Sequence, residues 1–166
     1  MNTALQAELN TLIRKLDGLS ETTKRDRDSI LTEAAGPLRS AIAGRAPMSD
    51  KAHSRYSTPK ISGKIRAPKG SGVIKATYQP GNLKKSVQTL RFRRSKAVFI
   101  GPKVRRSAGQ TPDGYYAHMV NFGTTQQPAQ RFVEAGVAAA GDVSLRLATE
   151  LMKRKINTYA AQNGLK

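Results

Sequence analysis

His118 and Asp113 stand five residues apart in the stretch Asp113-Gly114-Tyr115-Tyr116-Ala117-His118. A general base and the carboxylate that orients it could be drawn from that pair, and the chemistry would be proton transfer. No nucleophile is marked out beside them, and a His on a half-buried segment reads first as a structural or interface residue. Gly63-Lys64 resembles part of a phosphate-binding loop, but Thr58 stands where its first Gly belongs and Ile65 where its hydroxyl belongs. Gly70-Ser71-Gly72 lacks a third glycine and reads as a flexible turn. With two His and no Cys, a His cluster, a thiolate metal site, a Cys nucleophile and a disulfide are all excluded. No metal-ligand spacing is present, so no catalytic residue, cofactor or metal ligand is assigned.

Charge is the stronger signal. The 166 residues hold 29 Lys and Arg against 11 Asp and Glu, a formal net charge of +18. Residues 1–50 carry seven basic and seven acidic side chains, and residues 113–166 carry six and four. Residues 51–112 carry sixteen basic side chains and no acidic one. That field favours an anionic partner, either nucleic acid or an acidic protein face. Sequence-specific reading of bases is not indicated: aromatics are 5% of the chain, Trp is absent, and no helix-turn-helix or zinc finger is evident. Uninterrupted apolar runs reach only four residues, as in Ala97 to Ile100, so no membrane span is expected. The N-terminal sequence lacks the features of a signal peptide. One soluble intracellular domain is the expectation.

The elements that must position these residues follow from periodicity. Leu5, Leu9, Leu12, Ile13 and Leu16 fall on one helical stripe, and Ile30, Leu31, Ala34, Leu38 and Ile42 on another. Gly18 separates the two, and Gly36-Pro37 is expected to kink or split the second. Asp17, Asp26, Asp28 and Glu33 are expected to pair with neighbouring Lys24, Arg25 and Arg27. Residues 48–82, rich in Ser, Lys, Gly and Pro, read as a basic flexible insertion, an extended arm with one β-like patch from Val73 to Tyr78. Leu83 and Val87 suit one helical turn. Residues 88–94 and 97–101 alternate as an antiparallel hairpin, with Leu90 and Phe92 on one face, Arg91 and Arg93 on the other, and Phe92 and Phe99 in the core. Pro128 suits the first turn of a long final helix. The expected fold is α+β in a single domain: N-terminal helices over 1–46, the arm over 48–82, a β-hairpin region over 83–127, and a C-terminal helix over 128–163 packed on the sheet.

Residues 80–135 resemble the neck, or tail-completion, proteins of tailed bacteriophages. The blocks that carry the resemblance are Gly81-Asn82-Leu83-Lys84-Lys85-Ser86-Val87, Val98-Phe99-Ile100-Gly101, Tyr116-Ala117, Phe122-Gly123-Thr124 and Pro128-Ala129-Gln130-Arg131-Phe132, in that order. An N-terminal helix ending at Arg45-Ala46-Pro47 also fits. Asn121 departs from the acidic residue usual before the aromatic-Gly-Thr, and Arg131 from a Pro usual before the Phe. The resemblance implies a virion structural protein without enzymatic activity. It would form a homo-oligomeric ring, a hexamer in the virion, joining the portal–adaptor connector to the tail tube or its terminator around the DNA channel. It would reside in the virion neck and, during assembly, the host cytoplasm. The alternatives are a tail-terminator ring and, from another class, a nonspecific basic nucleic-acid-binding protein. Scaffold roles fall to Gly81, Leu83, Gly101, Tyr116, Ala117, Phe122, Gly123, Thr124 and Phe132. Contacts with genomic DNA or an acidic partner are expected from Lys84, Lys85, Arg91, Arg93, Arg94, Lys96, Lys103, Arg105 and Arg106.

Overall fold

A computed structural model describes residues 3–56, 60–61, 65–66, 74–91, 97–105 and 111–165. Helix α1 runs Thr3–Arg45 and helix α4 runs Phe132–Gln162. Between them lie strands β1 (His53–Tyr56), β2 (Lys60–Ile61), β3 (Ile65–Arg66) and β4 (Ile74–Tyr78), then the short helix α2 (Asn82–Ser86). Strands β5 (Val87–Arg91) and β6 (Val98–Pro102) follow, with helix α3 (Ala117–Phe122). The class is the expected α+β, with antiparallel hairpins beside a long helix at each end of the chain.

The two long helices lie antiparallel. Going down α1 and up α4, Ile42 meets Gly136, Leu38 meets Ser144, Asp26 meets Lys155 and Lys15 meets Tyr159. Glycines permit the two closest approaches. A Cβ on Gly136 would stand 2.7 Å from the Ile42 Cα, and one on Gly18 would stand 2.2 Å from the Tyr159 hydroxyl. Gly18 therefore does not interrupt the first helix; it admits a tyrosine from the last.

Nor does Pro37 split it. Proline removes one rung of the helical ladder and crowds the preceding turn, yet α1 continues for eight residues to Arg45. The next amide, of Leu38, donates to the buried Ser144 hydroxyl of α4 at 3.1 Å. A side chain 106 residues away thus accepts from the amide that follows the proline, a contact no local pattern contains.

The core gathers Ile42 and Ala46 of α1, Leu83 of α2, Val87 of β5, Val120 of α3 and Phe132 of α4. The i, i+4 pair Leu83 and Val87 is buried through the α2 turn, as expected. In the hairpin the register is Thr89↔Ile100, Leu90↔Phe99 and Arg91↔Val98. Cross-strand partners share a face, so Leu90 sides with Phe99 and not with Val98 and Ile100. Ile100 packs on the core, whereas Phe99 is 48% exposed. The core place expected for Phe99 is therefore corrected: the register puts it on the opposite face. Phe92 lies outside the described residues.

Within residues 48–82 the described residues include four short strands. β1 pairs with β4 and β2 with β3, both antiparallel. The β1–β4 pair forms one two-stranded ribbon and β2–β3 a separate one, with Lys60↔Arg66 falling between Tyr56 and Ile74 in sequence. Helix α4 begins at Phe132, four residues later than Pro128, because the preceding amides are taken up elsewhere, as described below.

Candidate functional site

A fully buried carboxylate fixes the base of the ribbon. Asp113 accepts the Tyr78 hydroxyl at 2.8 Å on one oxygen and the amides of Arg105 and Tyr115, at 2.9 and 3.1 Å, on the other. Asn82 and Asp113 also bond reciprocally: the Asn82 amide group donates to the Asp113 carbonyl at 2.6 Å, and the Asp113 N–H donates to Asn82 Oδ1 at 3.0 Å. Each group of this polar knot has a protein partner, as burial requires. Arg55 of β1 approaches the same carboxylate at 3.9 Å and lies over the Tyr115 ring, 4.4 Å from its centroid. His53 stacks edge-on to Tyr116 with centroids 4.6 Å apart. Burial holds the Tyr78 hydroxyl above the ordinary tyrosine range, and its bond to Asp113 pushes the same way.

This knot answers the proton-transfer reading. The partners of Asp113 are Tyr78, Arg55 and backbone amides, while His118 sits exposed on α3 at the rim of a separate groove. The two residues closest to a catalytic pair in sequence serve different surfaces. Among the described residues no group of three or more His, Asp or Glu could hold a metal ion, and no helix is long and apolar enough to cross a membrane.

The segment from Tyr116 to Phe132 locks onto the head of α4. The Gln130 and Arg131 amides donate to the carbonyls of Val120 and Asn121, each at 3.0 Å. The Asn121 side chain accepts the Val133 amide at 3.1 Å and donates to Glu134 at 3.1 Å. An asparagine on α3 therefore caps a helix eleven residues downstream, which displaces the helix start from Pro128 to Phe132. The acid of Glu134 is held below the ordinary carboxylate range, first by its own backbone amide and then by Asn121. Gly123 takes φ +80°, and a Cβ there would meet the Ala129 nitrogen at 2.7 Å. Thr124 bridges to Gln127 through both backbone groups, and its hydroxyl accepts the Gln126 amide at 3.2 Å. Gly81, after Pro80, takes φ +77°, a left-handed turn.

The scaffold residues thus converge. Leu83 and Phe132 are core, Tyr116 and Ala117 pack against it, and Gly101 pairs with Gln88 across the hairpin. Phe122 is the exception. Assigned a scaffold role with the others, it is 72% exposed on the edge of an apolar groove of about 580 Å³ between α3 and α4. Val133, Val137 and Ala138 line its α4 side, and Pro102 and Ala117 the opposite wall. Sequence periodicity could not separate this exposed stripe of α4 from the buried one, because both are apolar and adjacent.

The cations divide by location. On the long helices several are matched: Lys24 with Glu21, Arg25 with Asp26, Arg27 with Asp28, Lys153 with Glu150, and Lys155 with Asp26. Asp26 is consequently held below the ordinary range, chiefly by Lys155, and Asp28 chiefly by Arg27. Arg91, on the hairpin face turned toward α1, pairs with Asp28, and Arg105 donates to the Pro112 carbonyl at 3.1 Å. Lys84 and Lys85 are exposed on α2, and Lys103 is half-buried. Arg93, Arg94, Lys96 and Arg106 lie outside the described residues.

No family model, curated protein or solved structure matches this chain.

Proposed function

We propose that this protein is a structural component of a tailed-bacteriophage neck, a ring that joins the head connector to the tail tube around the DNA channel. The observation that carries the reading is the interlocking of the blocks behind the resemblance. Gly81-to-Val87, Val98-to-Gly101, Tyr116-Ala117, Phe122-Gly123-Thr124 and Pro128-to-Phe132 are distant in sequence. They meet around one core and one helix cap. Their residues fold and brace, and they leave apolar and cationic surfaces outward, an arrangement suited to assembly and not to turnover. A tail-terminator ring capping the tube uses the same surfaces and differs in its neighbour.

Lys84 and Lys85 offer the exposed cations for docking on an acidic connector or tube face, which raises encounter rates more than final affinity. Arg91 is committed to Asp28 within the chain and is a poor choice for that role. Negative-stain microscopy with and without tube and connector proteins tests the reading. Rings, or tubes capped at one end, are expected, and the protein that co-purifies, connector or tube, identifies the side of the neck.

The concentration of cations in residues 51–112 favours a second reading, a nonspecific nucleic-acid-binding protein. It predicts a persistent monomer that ignores tube protein and binds duplex DNA tightly at physiological salt, with affinity falling steeply as salt rises.

A further inference from the structure

Beside the base of the β1–β4 ribbon lies a cavity of about 320 Å³, distinct from the α3–α4 groove. On its wall Met48 follows α1, His53 belongs to β1, Gln79 follows β4, Tyr116 precedes α3, and Gln127 and Gln130 precede α4. The Met48 sulfur lies 3.4 Å from where a Cβ on Gly81 would stand, and Met48 is 67% exposed. The wall mixes apolar and polar groups and, among the described residues, carries no Asp, Glu, Lys or Arg. The side-chain amides of Gln79, Gln127 and Gln130 each offer donors and an acceptor, and none of them is bonded to another described residue. His53 adds a buried Nε2 without a hydrogen-bond partner, where a buried polar atom ordinarily has one.

The rings of this chain are unevenly spread. Aromatics are 5% of the sequence, yet His53, Tyr78, Tyr115 and Tyr116 pack as one cluster, and two of them, His53 and Tyr116, line the cavity. Amides and ring edges around an uncharged space suit a flat, neutral heterocycle. A glutamine amide pairs with the donor–acceptor edge of adenine, and bases stack on aromatic rings with little regard to sequence. The volume lies at the small end of the range for small-molecule pockets, roughly 300–1,000 Å³, which suits one ring system.

Cations adjoin this uncharged space. Exposed Lys85 lines a neighbouring cavity of about 220 Å³ that shares Gln79 and Pro80 with the first. Ser49 of the wall donates its hydroxyl to the carbonyl of exposed Lys51 at 2.7 Å. Two carboxylates are near: Asp50, exposed beside Lys51, and Asp113, fully buried and taken up by Tyr78 and two amides. A neutral recess beside lysines matches a neutral ring carried on a phosphate. We propose that this cavity captures an unpaired nucleobase, with the attached phosphate toward Lys85. Bases of a duplex are stacked and paired, so the guest is a base of a single strand, free to be splayed out. Capture does not rest on the neck reading, and it differs from nonspecific phosphate contact, which needs no base.

Fluorescence anisotropy of the full chain with two short labelled strands tests the capture: oligo(dA), and an abasic strand with the same number of phosphates. Oligo(dA) is expected to bind at least about five-fold more tightly, the lower end of what one stacked base contributes. The double variant Gln127→Ala, Gln130→Ala should bring oligo(dA) down to the abasic level. Both side chains are exposed, and helical circular dichroism verifies folding. Lys85→Ala should weaken both strands alike. Equal binding of the two strands by the parent protein overturns the capture, and so does a preference that survives the glutamine substitutions. AMP separates a strand from a free nucleotide: with fewer phosphate contacts it is expected to bind at least about ten-fold more weakly than oligo(dA). AMP binding as tight as that of oligo(dA) supports the base site and overturns the strand as its source. Rings under negative stain with no preference between the strands overturn the capture and leave the neck reading standing.

Discussion

The hydroxyl of Ser144 accepts the Leu38 amide at 3.1 Å, tying α4 to α1 one residue after Pro37. Removing that acceptor takes from the Leu38 amide its partner in α4 inside a packed interface. Ser144→Ala is expected to cost about 1–3 kcal/mol, the penalty of an unsatisfied buried polar group, in urea denaturation. The proline gives the control. With Pro37→Ala the regular ladder returns and Leu38 recovers its own-helix acceptor, so Ser144→Ala should cost at least about 0.5 kcal/mol less in that background, the scale of real coupling in a double-mutant cycle. Equal costs in both backgrounds would refute the compensation.

Gly136 sets the distance between the long helices. Alanine improves helix propensity by about 1 kcal/mol, yet its Cβ would sit 2.7 Å from the Ile42 Cα and 2.9 Å from its nitrogen. Gly136→Ala is therefore expected to be net destabilising by about 1–3 kcal/mol, read as a lowered Tm. Truncation of Ile42 should not rescue it, since the obstructing atoms include backbone.

The cap of α4 couples to acidity. Glu134 is depressed by its own amide and by Asn121, so its contribution is present above the ordinary Glu value of about 4.3. It is lost as pH falls through the lower folded value. Asn121→Ala is expected to cost about 1 kcal/mol, as for loss of a cap. Asn121→Asp keeps the acceptor for Val133 but sets a second carboxylate against Glu134. It should be less stable than the parent at pH 7, with the gap narrowing on acidification as one carboxylate of the pair takes a proton. Chemical denaturation across that range measures the sign directly.

At the alkaline end the group to watch is Tyr78. Its folded-state hydroxyl is raised by burial and by its bond to Asp113. The associated stability is complete below the ordinary value of about 10 and disappears as pH climbs through the higher folded value. Phenolate absorbance should show a late-titrating class that Tyr78→Phe reduces. Early titration of every tyrosine in folded protein would contradict the buried knot.

Local pattern revealed what local physics decides. The turn at Leu83 and Val87, the positive φ at Gly81 and both long helices were legible because spacing or backbone freedom specifies them. What stayed hidden depends on partners far along the chain. Pro37 looks like a break until Ser144 is beside it, and Gly18 like a hinge until Tyr159 fills its place. Pro128 looks like a helix start until Asn121 takes the cap. The β1–β4 pairing is backed by Asp113, a carboxylate thirty-five residues from Tyr78. The exposed stripe was half legible: Leu9 to Leu16 is visible as a pattern, but only the length of α4 leaves it open.

The unbroken α1 also makes distance and rotation inseparable. Its 43 residues span about 65 Å, and Tyr159 clamps it at Lys15 and Gly18, on either side of Leu16 at the end of the apolar stripe. One residue inserted between Leu16 and Gly18 would advance Leu9 by only about 1.5 Å but swing it about 100° around the axis. Seven residues would lengthen the rod by about 10 Å and return the stripe to within about 20° of its original bearing. The helix therefore works as a keyed ruler, tolerant of length in steps of two turns and intolerant of single-residue change.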